Sequence, residues 1–147
     1  MSEFKFQAHR GDSVSYPENT LISYLAAVEQ GYRIVEMDCK FTKDNVCIML
    51  HDGTVNRTCR RDDGSAFEEK TASTALTLAE IKAEFILGKD GKATTEKVPT
   101  LKELLEEFKD KDCKIFVEFK GGNSQNIVKT CELLKQYDMI HKVDVIS

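Results

Sequence analysis

Three carboxylates, two histidines and two cations stand in this chain where solubility alone explains them poorly: Glu36, Asp38, Glu118, His9, His51, Arg10 and Lys120. Glu36 and Asp38 are two apart amid Ile34, Val35 and Met37, so an extended strand projects both to one side, into apolar surroundings. Buried carboxylates are costly without a cation, and Glu118, within Ile115-Phe116-Val117-Glu118-Phe119-Lys120, poses the same problem. Three oxygen ligands without clustered His or Cys suit a hard cation, Mg²⁺ or Ca²⁺, better than Zn²⁺, with nothing to choose between those two. Such an ion, with Arg10 and Lys120, would neutralise a phosphate, and His9 and His51 could share acid and base work because imidazole titrates near neutral pH. These are the parts that phosphodiester cleavage needs: positive charge on the non-bridging oxygens, a base for the attacking hydroxyl and an acid for the leaving oxygen.

Each residue alone has a plainer explanation. Glu36 and Asp38 could end a solvated strand or pair with Arg33 or Lys40; His9 could be a satisfied core histidine; His51 and Asp52 could cap a turn; Arg10 and Lys120 could be surface charges. Their joint occurrence at successive strand ends favours a site, because the separate explanations must all hold at once.

The elements that would position them follow from periodicity. Phe4 to His9, Arg33 to Lys40, Val46 to His51, Lys114 to Lys120 and Lys142 to Ile146 have strand character. Helices are expected over Thr20 to Gln30, with Asn19 as cap and Gly31 as stop, and over Thr77 to Phe85 and Thr100 to Lys109, each opening on a capping Thr. Gln125 to Tyr137 supplies another, with Ile127, Cys131 and Leu134 on its apolar stripe. Alternating strands and helices indicate βαβ units and a parallel sheet, whose C-terminal strand ends gather polar residues on one rim. Only Phe41 to Asn45 separate the second and third strands, which leaves a tight crossover or a hairpin. Residues 52–99 read as an inserted, polar segment, either a lid or a tolerated surface insertion.

The 147 residues, 41% hydrophobic and 31% charged, have the composition of a single soluble domain. A net charge of -4 disfavours a partner such as nucleic acid that is held on a broad basic surface. No run approaches the roughly 20 apolar residues of a membrane span, and Met1-Ser2-Glu3-Phe4-Lys5 lacks a basic segment followed by a hydrophobic one, so the expected location is cytoplasmic. The five cysteines include no C-x-x-C pair and read as reduced, mostly buried thiols.

Five motifs occur in order: His9-Arg10-Gly11; Pro17-Glu18-Asn19-Thr20; Glu36-Met37-Asp38; His51-Asp52 with Arg57-Thr58; and Glu118-Phe119-Lys120. In this ordered set the chain resembles the glycerophosphodiester phosphodiesterase family, with weaker echoes in Leu76-Thr77, Glu80-Ile81 and Val98-Pro99-Thr100-Leu101. The resemblance implies a TIM-type (β/α)₈ barrel, a divalent metal on Glu36, Asp38 and Glu118, and His9 and His51 as the acid and base pair. It also implies hydrolysis of a glycerophosphodiester to sn-glycerol 3-phosphate and an alcohol, either through a cyclic phosphate formed by the neighbouring glycerol hydroxyl or by direct attack of water.

A complete barrel of this kind has eight strands in about 250 residues, whereas this sequence supplies about five. The expectation is therefore an incomplete barrel, cut at Ser147 in its fifth strand, unless a second chain completes it. A homodimer joined through the open strand edges, helped by Phe4, Phe116 and Ile146, is one solution. A catalytically inert half-barrel that binds phosphorylated ligands or a partner chain is the alternative function, and a phospholipase-D-like relative acting on lysophospholipids a third.

Overall fold

Most of the strand-forming residues pair in one mainly parallel sheet in the computed structural model, which describes residues 6–86 and 88–146. In chain order the elements are β1 (Gln7–His9), α1 (Leu21–Glu29), β2 (Ile34–Phe41), β3 (Cys47–Met49), β4 (Cys59–Arg60), α2 (Leu78–Ala83), β5 (Phe85–Ile86), α3 (Leu101–Phe108), β6 (Lys114–Phe119), α4 (Ser124–Gln136) and β7 (Val143–Ile146). The main sheet runs β1-β2-β6-β7, all parallel, with β3 antiparallel to β2. The link between β2 and β3 is thus a hairpin, closed by Asn45, whose φ of 62° a short polar side chain tolerates.

Alternation along β2 divides its residues between two faces. Val35, Met37 and Cys39 are buried with Ile115 and Val117 of β6 against Tyr24 of α1, Leu101, Leu104, Leu105 and Phe108 of α3, and Leu134 of α4. Glu36 and Asp38 take the opposite face, where the register sets His9 beside Glu36 and Glu118 beside Asp38. Helix on one face and carboxylates on the other is the layering of a (β/α) barrel wall.

The helix ends are set by local chemistry. Thr77 and Thr100 each accept the N–H of a Glu three residues on, whose carboxylate returns to the cap N–H, giving two complete capping boxes. Gly31, at φ 96°, follows α1. Three expectations need correction. The cap of α1 is Thr20, paired with Ser23, while Asn19 lies outside the helix at φ 54°. The α2 helix stops at Ala83 because Phe85–Ile86 pairs with Cys59–Arg60 in a second small sheet. The buried face of α4 is Asn126, Thr130 and Leu134, with Ile127 and Cys131 outward; Asn126 and Thr130 can be buried because Asn45 and the Asn126 carbonyl satisfy them.

Within 52–99 the second sheet, α2 and a separate cluster of Val55, Cys59, Ile81, Ile86 and Val98 pack on Ile48 and Leu50. The segment is therefore a built structure packed on β3 and the residue that follows it. All five cysteines are free thiols, four buried and Cys131 exposed. On β7, Val145 is 54% and Ile146 37% exposed, Phe116 is half-buried, and Phe4 and Ser147 lie outside the described residues. Among the described residues no helix is long and apolar enough to cross a membrane.

Candidate active site

β1 ends at His9, and the chain turns at once. Arg10 and Gly11 both adopt positive φ, 60° and 79°. A Cβ on Gly11 would lie 2.5 Å from Ser23 Oγ and 2.6 Å from its carbonyl carbon, so only glycine lets the turn pack on α1. The turn is held by Ser23 Oγ–H and the Asn19 N–H, both donating to the Arg10 carbonyl at 3.2 and 3.1 Å. It aims the Arg10 N–H at Glu36 Oε2, 2.9 Å away, and sets Arg10 Nε 3.1 Å from Asp38 Oδ2.

The three carboxylates meet: Glu36, Asp38 and Glu118 each offer an oxygen, all within 4.8 Å of one another. Glu36 and Asp38 are fully buried, and their Oε1 and Oδ1 atoms find no hydrogen-bond partner. Burial, then the neighbouring Asp38, raises the Glu36 carboxyl from its usual range to about 7. Two orphaned carboxylate oxygens beside a third acid fit a cation, and an all-oxygen donor set fits a hard one. Lys120 supplies a partial balance, hydrogen-bonded to Glu118 Oε1 and 3.7 Å from Asp38 Oδ1; Glu118 raises its ammonium pKa. His9 Nε2 lies 3.9 Å from Glu36 Oε2, with the ring largely in solvent.

His51 follows β3, brought to the sheet by the Leu50 N–H, which donates to the Asp38 carbonyl at 3.0 Å. Its Nδ1 is 2.8 Å from Asp52 Oδ1. Hydrogen bonds from Arg57 hold the Asp52 carboxyl well below the usual carboxylate range, so Asp52 is an anion and Nδ1 must be the donor. The other ring nitrogen, Nε2, is left free for chemistry. Arg57 grips Asp52 through Nε (2.6 Å) and Nη2 (3.0 Å), and Glu18 through Nη2 (2.7 Å) and Nη1 (3.1 Å). Glu18 in turn accepts from Arg10 Nη1 at 3.2 Å. Burial works to raise the Glu18 pKa, but Arg57 and Arg10 outweigh it and the carboxyl is lowered. An unbroken chain of charge thus runs from His51 through Asp52, Arg57, Glu18 and Arg10 to Asp38.

Of the seven residues singled out from the sequence, His9, Arg10, His51, Glu118 and Lys120 lie at or just past the C-terminal ends of β1, β3 and β6, and Glu36 and Asp38 lie within β2, level with the ends of β1 and β6. Six converge directly on the carboxylate cluster; His51 joins through the chain of ion pairs. Sequence reasoning assigned no site role to Asn19, Glu18 or Arg57. Asn19 Nδ2 donates to Asp38 Oδ2 at 3.0 Å, and its Oδ1 accepts from the Asp38 N–H (3.2 Å) and the buried Tyr24 hydroxyl (2.5 Å). The available signal was the Asn-Thr pair, in which Thr is the better-placed cap and Asn the residue that tolerates positive φ. A cavity of about 490 Å³ opens beside Lys120, lined by Lys40, Thr42, Lys43 and Asn126. The larger groove, about 980 Å³, lies at the other end of the strands by Arg33 and Lys114 and touches none of the seven.

The fold has close parallels. A solved glycerophosphodiester phosphodiesterase from Agrobacterium tumefaciens superposes with a TM-score of 0.83 over 99% of this chain and 58% of its own, at 24% identity. An Oleispira antarctica phosphodiesterase, solved in complex with the product sn-glycerol-3-phosphate, superposes with a TM-score of 0.78 over 97% of this chain and 56% of its own, at 27% identity. The glycerophosphodiester phosphodiesterase of Caldanaerobacter subterraneus subsp. tengcongensis is 40% identical over 116 residues, 78% of this chain and 44% of that protein. Glycerophosphodiester phosphodiesterase 1 of Mus musculus is 36% identical over 120 residues, covering 78% of this chain and 33% of its own length. The chain therefore spans less than half the length of these two relatives. The profile of the Glycerophosphoryl diester phosphodiesterase family matches residues 9–147, from the first site histidine onward, and the chain belongs to that family.

Proposed function

We propose that this site hydrolyses a glycerophosphodiester to sn-glycerol 3-phosphate and an alcohol, with one divalent cation, Mg²⁺ or Ca²⁺, on Glu36, Asp38 and Glu118. The observation that carries the reading is the pair of buried oxygens without a hydrogen bond, Glu36 Oε1 and Asp38 Oδ1, in a three-acid cluster. Leaving a buried polar group unsatisfied costs about 1–3 kcal/mol, a penalty that a ligand between the two would remove. When bound, the cation supplies Lewis-acid polarisation of a phosphate oxygen.

The chain's own residues do the rest. Arg10, steadied by Glu18, and Lys120 offer N–H donors to the non-bridging oxygens. His51, its Nδ1–H given to Asp52, presents Nε2, and His9 faces the cluster from β1. One histidine removes the proton of the attacking hydroxyl as its oxygen bonds to phosphorus. The other protonates the alcohol oxygen as its bond to phosphorus breaks. If the attacking hydroxyl is the neighbouring one of the glycerol, a cyclic phosphate forms, and water opens it with the histidines exchanging roles; attack by water directly needs the same pair once. Family membership supports the choice of a glycerol-containing diester.

The test is a coupled assay for glycerol 3-phosphate release from glycerophosphocholine or glycerophosphoethanolamine, with Mg²⁺, Ca²⁺ or chelator, beside His51→Ala. Metal-dependent release that the variant loses supports the proposal. A folded chain with no such release would instead be a phosphate-binding half-barrel.

A further inference from the structure

Arg57 is half-exposed on the segment after β3, where an ion pair ordinarily contributes little. Its setting is different. Four N–H contacts of 2.6 to 3.1 Å divide one guanidinium between two carboxylates, Asp52 and Glu18, that are themselves only 26% and 21% exposed. Each carboxylate has a second partner in the site, His51 for Asp52 and Arg10 for Glu18. Glu18 sits in the loop between β1 and α1, and Asp52 follows β3, so Arg57 ties the loop that carries Arg10 to the one that carries His51.

From this geometry we infer that Arg57 is a positioning residue: by holding Asp52 and Glu18 together it fixes the His51 ring and the Arg10 guanidinium relative to each other.

The inference rests on the hydrolytic reading of the site. Without Arg57, Asp52 and Glu18 face each other as two anions with no cation between them, and repulsion separates their loops. Asp52 then holds the His51 Nδ1–H less firmly, and the tautomer that frees Nε2 loses its support. Glu18, left with Arg10 alone, draws that guanidinium away from the phosphate position. Lysine cannot replace the fork, because one ammonium lacks the planar pair of edges that arginine offers to two carboxylates. The two arms have different kinetic signatures: the His51 arm acts on the chemical step and therefore on kcat, and the Arg10 arm acts on phosphate binding and therefore on KM.

The experiment uses the full chain with Mg²⁺ and glycerophosphocholine, comparing wild type, Arg57→Ala, Arg57→Lys, and Arg57→Ala in an Asp52→Asn, Glu18→Gln background. Nitrogen NMR of the His51 ring reads the tautomer without turnover. The expected loss of kcat/KM for Arg57→Ala is about 10- to 100-fold, the usual range for partners one step behind a site. It should be shared between lower kcat and higher KM, with a shift of His51 away from the Nδ1–H tautomer. In the doubly substituted background, removing Arg57 should change kcat/KM by less than about 3-fold, because the coupling is already gone. Arg57→Lys should recover only part of the loss. A folded Arg57→Ala with wild-type tautomer and kcat/KM within about 3-fold of wild type overturns the inference, as does a loss of equal size in the doubly substituted background. If Arg57→Ala does not fold, Arg57→Lys and the tautomer reading decide by the same criteria. A wild-type chain without metal-dependent release fails the hydrolytic reading itself, while the tautomer still reports whether Arg57 holds His51.

Discussion

Asn19 and Asp38 clasp each other twice, Asn19 Nδ2 donating to Asp38 Oδ2 at 3.0 Å and the Asp38 N–H donating back to Asn19 Oδ1 at 3.2 Å. The clasp leaves Asp38 Oδ1 as the oxygen without a hydrogen-bond partner, 3.7 Å from the Lys120 ammonium nitrogen. Asn19→Ala removes both bonds and strains the backbone at φ 54°. We expect about 1–3 kcal/mol of lost stability in urea titrations. Mg²⁺ affinity by calorimetry should weaken about 10- to 100-fold.

Cation binding should stabilise the fold. An ion held only by the native carboxylate cluster raises stability by about 2.7 kcal/mol at a hundredfold excess over its Kd, read as a higher Tm on adding Mg²⁺ or Ca²⁺ and reversed by chelator. Glu36→Gln should abolish the increment while keeping the side chain's volume. An equal Tm rise in that variant would place the ion elsewhere.

Glu84 makes stability depend on pH. It is 6% exposed with one oxygen unpartnered, and burial raises its carboxyl from 4.5 to about 7 against the pull of Arg61. A folded-state pKa above the unfolded one means that the native state binds the proton more tightly. The stabilisation is therefore complete below about pH 4.5, fades through the interval and is gone above about 7. Glu84→Gln should flatten that slope and raise stability near neutrality by about 1–3 kcal/mol, the cost of an uncompensated buried polar group, measured by melts across the interval. A slope unchanged by the substitution would show that other groups cause it.

Gly11→Ala should destabilise the chain by about 1–3 kcal/mol through a strained φ, and should cost activity as well. Any shift that frees the new methyl from Ser23 also moves the Arg10 N–H off Glu36. Urea titration and the glycerol 3-phosphate assay, run on the same preparation, should fall together.

What the sequence made legible was what local chemistry decides. The alternation of Val35, Met37 and Cys39 with Glu36 and Asp38 assigned both faces of β2, and the Thr-x-x-Glu spacing placed the starts of α2 and α3. What stayed hidden depends on partners distant in the chain. Phe85–Ile86 reads as the end of a helix until Cys59–Arg60 offers it a strand to pair with. Ile127 looks like core until Asn45 draws Asn126 inward and rotates α4 about its axis. Arg57 stands in the sequence as a motif residue without a role until Glu18, far back in the chain, closes on its other side. The residues of the site were visible because their types are costly in strands; those that steady them stood within the motifs, but their roles did not show, because their types are ordinary in loops.

The β2–β3 hairpin has a bearing on the order of assembly. It returns the chain to its own neighbour within a few residues, so β2 and β3, with Glu36, Asp38 and His51, need only short-range contacts to come together, while β1, with His9 and Arg10, reaches β2 across the intervening α1. Contacts of low sequence separation form fast, and synthesis delivers these strands first. Glu118 and Lys120 come much later, across the whole of 52–99. A nascent chain would then present an acid pair with neither its third carboxylate nor its lysine, and β6, docking beside β2, would bring both in one step. Maturation of the site would coincide with closure of the sheet.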